Sequence, residues 1–501
     1  MLQPVFLLHQ SHNRSGGTAI TVFICMTLYV LFASNGVCDE PMTNATEIPI
    51  IDVQPSDEPV LALRYRFYAT KRDLKPGAAA PHFTRALAQY LQVSEEARAK
   101  WNTFQNDFED GKFTGSIEAE LEPFKECFEH LRVFGEREDL VSDSRWRDLR
   151  GPAIWEARLP EAQHSRELAR LLKYQAIAQI RKKEFEGAFA NVRTGYRLAE
   201  FIGQGESVVQ KLVGIAIAGL MADVVQTAIA TPQCPNLYWA LATIPQPLVS
   251  VRDAIELELT GVEHVLPILG QSESSSMDQT AWQSLWKSTA DDIRRLCADV
   301  GYGIDASDKL TAAVAIGLST GLEDAKSRLK HLGRTTIELK RMPPERILAL
   351  DTLYEIRRIM SKYGKAYLLP SSVRTDAMAN ENMELEEFQK QNSHSIAVQV
   401  LSIVIPSANR VNHVELRQIN SINRLMTLEA LRMHAARHDG NLPSSLRELD
   451  CVPAIPNPFD GKDYRYRVTN EEKSMVVTLD LEKIPQEPTS LWTLKARFPR
   501  K

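Results

Sequence analysis

Three groupings in this 501-residue chain bring together residue types that can do chemistry. Gly317-Leu318-Ser319-Thr320-Gly321 matches G-x-S-x-G, in which a strained strand-to-helix turn exposes a serine nucleophile. AAVAI precedes it, the helical run LEDAKSRL follows it, and His331, His394, His413 and His434 lie downstream as potential bases. His434 and His438 stand at i and i+4 on an expected helix, a spacing that can chelate a metal, with Asp439 adjacent. Arg145, Trp146, Arg147, Arg150 and Trp155 mix aromatic and cationic side chains that can stack on a glycan or grip an acidic peptide.

Each grouping has a plainer competitor. An α/β-hydrolase alternates strands and helices before its nucleophile, whereas the long stretch before Ser319 reads as helical; a Gly/Ser turn between packed helices fits that setting better. No glutamate follows His434 as in H-E-x-x-H, and the sequence identifies no third ligand, so a solvated helix face is the preferred reading of His434 and His438. The Arg145–Trp155 patch also suits packing of a loop on the first hairpin, and it is the surface to probe first for binding. Gly203-Gln204-Gly205 lacks the third glycine and preceding strand of a dinucleotide loop and reads as a helix-to-helix turn. No carboxylate pair stands isolated in an apolar setting, so glycosidase chemistry has no support. No cofactor is expected.

The elements that would position these residues follow from composition and periodicity. Hydrophobic residues at 44% and charged residues at 25% describe a globular chain with ample core. The net charge of -5 comes without a basic stripe, which argues against nucleic acid as a partner. Ala19 to Ala33 is apolar, Arg14 precedes it, and Asp39 and Glu40 follow, an asymmetry that sends the rest of the chain out of the cytoplasm. Residues 1–38 are therefore expected to be a signal peptide or an inner-membrane anchor through 19–37, and the acidic, turn-rich 39–59 a linker. The six cysteines include no C-x-x-C, so the sequence supports neither a zinc site nor a redox motif.

Beyond the linker, 60–270 reads as a helical domain. Trp101, Phe104 and Phe108, then Phe124, Phe128 and Leu131, recur at helical spacing as core faces. Leu168, Leu172, Ala176 and Ile180 pair with Phe185, Ala188, Val192, Tyr196 and Ala199 as a helical hairpin of tetratricopeptide type, without a recurrence at about 34 residues. Ser207 and Gln210 form a capping box opening VVQKLVGIAIAGLMADVVQTAIA, expected as the buried centre of a bundle. Gly270 to Gln279 reads as a surface loop and subdomain boundary, and residues 280–405 as further helices with a polar connection from Ser371 to Asn382.

Residues 406–501 are expected to hold a long helix, broken or kinked at Pro406, and a small antiparallel sheet. Leu416, Ile419, Ile422, Met426, Ala430 and Met433 line the helix, which ends at Gly440. Ser445 and Glu448 make a second capping box, Asp460-Gly461 a hairpin-type turn, and strands are expected at Tyr464–Val468, Met475–Leu481 and Trp492–Phe498.

ALRMHAARHDGNLPSSL followed by PNPFDGKDYRYRV resembles the C-terminal signature of a large uncharacterised family of exported, helix-rich planctomycete proteins. Leu63 to Leu87, and the segment from Arg181 through LVGIAIAGLM to Pro247, are similar to the same family. The resemblance implies an extracytoplasmic helical fold and carries no activity or catalytic residue. The C-terminal segment also resembles, locally, the periplasmic part of type II secretion pseudopilins. The expected fold is thus mainly α, an antiparallel helical-hairpin (tetratricopeptide-like) array closed by a small C-terminal α+β module. The expected function is a non-enzymatic scaffold presenting a surface to a protein or envelope component; the competing reading is an envelope serine hydrolase using Ser319.

Overall fold

The computed structural model describes residues 48–141, 160–274, 276–299, 314–391, 395–481 and 492–500. The chain is mainly helical with a small sheet. Strand β1 (Ile50–Asp52) opens it, followed by β2 (Lys75–Ala78), helices α1 (Ala80–Gln92), α2 (Glu95–Glu109), α3 (Ile117–Leu121) and α4 (Lys125–Gly135), and β3 (Arg137–Asp139), which pairs with β2. The two aromatic stripes are core faces that meet each other: the ring centroids of Trp101 and Phe124 lie 5.3 Å apart, and Phe104 packs on Tyr174 of α5 (Pro160–Arg181) at 4.9 Å.

Helices α5 (Pro160–Arg181), α6 (Phe185–Gly203) and α7 (Val208–Ala230) form the centre. The α5–α6 turn closes through Lys183, whose φ of 62° reverses the chain. Ser207 and Gln210 make the reciprocal capping box at the start of α7. Helix α7 lies close against α6 because Gly214 lacks a side chain: a Cβ there would sit 2.6 Å from the Ala199 carbonyl oxygen. With a mean hydropathy of 1.9, α7 is long and apolar enough to cross a membrane, but 67% of that window is buried inside the protein, as befits a core helix.

Short α8 (Tyr238–Ala242), α9 (Arg252–Val265), α10 (Pro267–Gln271), α11 (Gln279–Asp299), α12 (Leu322–His331) and α13 (Thr336–Arg341) lead to α14 (Pro344–Tyr367), α15 (Ser371–Gln391) and the 42-residue α16 (Ile396–Arg437). Strands β4 (Arg465–Asn470), β5 (Ser474–Asp480) and β6 (Leu494–Pro499) close the chain. Helix α16 touches α7, α8, α14 and α15 and, through Asn420, which accepts from Tyr464 just before β4, is the spine of the structure. All six residues expected on its apolar face are buried.

Several local expectations are corrected. The linker reading of 39–59 extends too far, because β1 pairs in parallel with β6, giving the order β1-β6-β5-β4, and Val53 is buried. Three strand residues carry too little periodicity to be seen in sequence; their partner lies more than four hundred positions away, with Ile51 opposite Ala496. Pro406 does not break α16: a proline removes a single N–H donor, and the buried residues on both sides, Leu401 and Val411, hold the helix across it. Ser371–Asn382 is helical, the first part of α15, with Arg374 anchored on α16. Residues 272–273 are fastened rather than loose, since Arg346 donates to the carbonyls of Ser272 and Glu273. Ser445 does not cap its short helix; Ser444 instead donates its amide and hydroxyl to Glu448. The Asp460-Gly461 turn precedes β4, while β4 and β5 pair across 471–473, with Val468 opposite Val477.

Candidate metal centre

The last turn of α16 builds the site. His434 and His438 are one turn apart, so their rings share a face and stack with centroids 4.0 Å apart. The helix stops immediately afterwards because Asp439 and Gly440 take left-handed φ values of 55° and 87° and the Gly440 amide donates to the Ala435 carbonyl at 2.7 Å. The reversed chain passes through the one-turn helix at Leu446–Glu448 and returns Asp450 beneath the two rings.

His434 Nδ1 lies 3.2 Å from Asp450 Oδ1, and His438 Nε2 lies 3.0 Å from Asp450 Oδ2. One ligand atom from each of the three residues falls within 4.8 Å of the others. A tetrahedral ion with N and O ligands at about 2.0–2.1 Å separates those ligands by about 3.3 Å, so small side-chain shifts would admit one. His434 is buried, whereas the His438 and Asp450 side chains are 42% and 57% exposed, leaving one side open. The site also sits at a helix C-terminus, where the partial negative charge of the last carbonyls favours a cation.

Without a metal the same atoms form a clamp: with protons on His434 Nδ1 and His438 Nε2, both rings donate to the Asp450 carboxylate. The Cys451 thiol, donating to Oδ1 at 3.2 Å, holds that carboxyl well below its usual range, and the two rings add to the effect. Burial pushes the Cys451 thiol up, Asp450 pushes it further, and Arg437 opposes both. A metal would compete with the ring protons for the same lone pairs.

Sequence reasoning placed His434 and His438 on a solvated face without a third ligand. The fold buries His434 and supplies the third group, Asp450, not the adjacent Asp439, whose backbone forms the helix stop. No motif spacing links Asp450 to the histidines; the helix stop at Gly440 was the only signal that the chain turns back here.

The other groupings fall elsewhere. Gly317–Gly321 is a turn of π-helix running into α12, with helical residues on both sides. The exposed Ser319 hydroxyl donates to the Ile316 carbonyl at 3.0 Å, and the His331 ring contacts the Ser327 carbonyl. Arg145, Trp146, Arg147, Arg150 and Trp155 lie outside the described residues, as does the apolar segment 19–37. Among the described residues Cys127 and Cys234 are buried free thiols. No protein family, curated protein or solved structure matches this chain, and its functional reading rests on the geometry of His434, His438 and Asp450.

Proposed function

We propose that the protein is an exported or membrane-anchored envelope protein, a non-enzymatic helical-hairpin scaffold, that holds a divalent transition metal at His434, His438 and Asp450. The single observation behind the metal is the convergence of three ligand atoms from two chain segments to within 4.8 Å. Two imidazoles and one carboxylate suit zinc and its neighbours better than magnesium or calcium, which prefer all-oxygen shells.

The export half of the reading is supported by the charge asymmetry around Ala19–Ala33 and by the resemblance to exported planctomycete proteins. The scaffold half is supported by the α5–α6–α7 packing, the arrangement from which tetratricopeptide-like arrays build a binding face. A protein or envelope component is the expected partner. The experiment is metal stoichiometry on the full chain purified in mild detergent with a non-chelating reductant. One zinc per chain, lost in Asp450→Ala and kept in Ser319→Ala, is the expected result; no bound zinc, or equal binding by Asp450→Ala, sinks the metal reading. Cross-linking in intact cells tests the compartment, and recovery of cytoplasmic neighbours alone sinks export.

A further inference from the structure

Cys451 is half-buried: it packs against the edge of the core, and its thiol meets Asp450. Cys127 and Cys234 are 1% and 2% exposed and behave as small core hydrophobes. Cys451 instead places Sγ 3.2 Å from Asp450 Oδ1, the same oxygen that faces His434 Nδ1.

Its position is set by a rigid frame. Asn423, Thr427, His434 and His438 fall within roughly 60° of one another around α16 at about 3.6 residues per turn. Along this stripe the 450–456 segment is pinned: Asn423 Nδ2 donates to the Pro456 carbonyl at 2.8 Å, and the Ile455 amide donates to Thr427 Oγ1 at 3.3 Å. From the other side Tyr238 donates its hydroxyl to the Pro453 carbonyl at 2.9 Å, and Val452 is buried. The residues carrying Asp450 and Cys451 are therefore held against the helix that carries both histidines.

Charge supplies the second argument. Two neutral imidazoles and one carboxylate around a dication leave one net positive charge. Arg437, between the two histidines in sequence, donates to Asp57 Oδ1 at 2.8 Å and lies 3.8 Å from a Glu58 carboxylate oxygen. Arg437 is already paired with these carboxylates, so the residual positive charge in this half-buried site is left unbalanced and is unfavourable. A thiolate makes the ligand set doubly anionic and the loaded site neutral.

Building on the metal reading above, we infer that Cys451 is the fourth ligand. It completes a tetrahedron of two imidazoles, one carboxylate and one thiolate, selective for thiolate-accepting d-block ions, zinc foremost, over magnesium, calcium and manganese. On binding, the thiol proton leaves to solvent. Each neutral imidazole keeps one proton, moved to the nitrogen not facing the metal, and Asp450 is already ionised.

Cobalt(II) is the probe, because a thiolate ligand adds a near-ultraviolet charge-transfer band to the visible d–d bands of a tetrahedral ion. The full chain in mild detergent, kept reduced, is titrated with cobalt. Wild type is expected to show both sets of bands. Cys451→Ser should lose the near-ultraviolet band, keep visible bands, and bind roughly 10- to 100-fold more weakly; Cys451→Ala repeats the test, with unchanged metal-free melting of both variants as the folding control. Cobalt bound by wild type without the near-ultraviolet band, or a band that persists in both variants, removes Cys451 from the site while leaving the His434-His438-Asp450 reading intact. Failure of wild type to bind cobalt at all overturns both.

Discussion

Helix α16 carries two polar clusters within about three turns of each other, and they are built on opposite terms. At Glu429 and Arg432, both essentially fully buried, each guanidinium nitrogen and each carboxylate oxygen is hydrogen-bonded inside the protein. Arg432 Nη1 donates to both Glu429 carboxylate oxygens, Nε to the Gln54 carbonyl and Nη2 to the Cys234 carbonyl, while Asn236 bridges the Glu429 and Ser56 carbonyls. Burial pushes the Glu429 carboxyl up, and the guanidinium opposes it. At His434, His438 and Asp450 the groups converge on one another and on solvent. A closed buried network holds chain segments together, here the segment after β1 and the 234–236 turn on the spine; an open convergent one leaves its groups facing solvent, where the proposed metal would meet them.

The comparison breaks most visibly if the closed cluster is cut. Arg432→Ala strands a buried carboxylate and frees the carbonyls of Gln54 and Cys234, so urea unfolding should show a loss of about 3–5 kcal/mol. A loss below about 1 kcal/mol would show that the network is not what fastens the segment after β1. The open cluster should behave the other way round. Asp450→Ala, at a largely exposed position, should cost far less metal-free stability than Arg432→Ala, whereas zinc at about a hundred times its Kd should stabilise wild type by about 2.7 kcal/mol and neither Asp450→Ala nor His434→Ala. Thermal melts with and without zinc read both effects, and an equal zinc effect in all three proteins would erase the distinction.

Glu200 sharpens the comparison because it is half closed: Tyr68 donates to Oε1 at 2.8 Å, but buried Oε2 has no partner. Burial raises its carboxyl above the ordinary 4.5, with Tyr68 and Arg197 opposing. The associated stability is present below pH 4.5 and lost as pH rises through the raised folded value. Glu200→Gln should therefore stabilise the protein at neutral pH by about 1 kcal/mol and flatten this part of the pH profile. An unchanged profile by urea titration at several pH values would contradict the assignment. Least affected of all should be Ser319→Ala, within about 0.5 kcal/mol, since its hydroxyl only folds back on its own helix at the surface. Fluorophosphonate labelling lost in that variant would revive the hydrolase reading.

Much of the helical architecture was legible because it rests on local rules. The apolar stripe of α16, the Ser207–Gln210 box, the stop at Gly440 and the strands β4 to β6 all follow from periodicity and capping. The misses have one cause. Strand β1 needs β6, the continuity of α16 through Pro406 needs packing on either side, and α15 needs Arg374 on Glu415. The partners of β1 and of Arg374 lie far off in sequence.

The site divides in the same way. The amino-acid sequence determined that His434 and His438 share a helical face and that the chain turns sharply at Gly440, because both depend on backbone geometry within a few residues. Only the tertiary structure decided that Asp450 and Cys451 return beneath that face, because their placement depends on Asn423, Thr427 and Tyr238 gripping the 453–456 backbone. Convergence of ligand atoms to within 4.8 Å is a property of that packing. Spacing along the chain does not encode it.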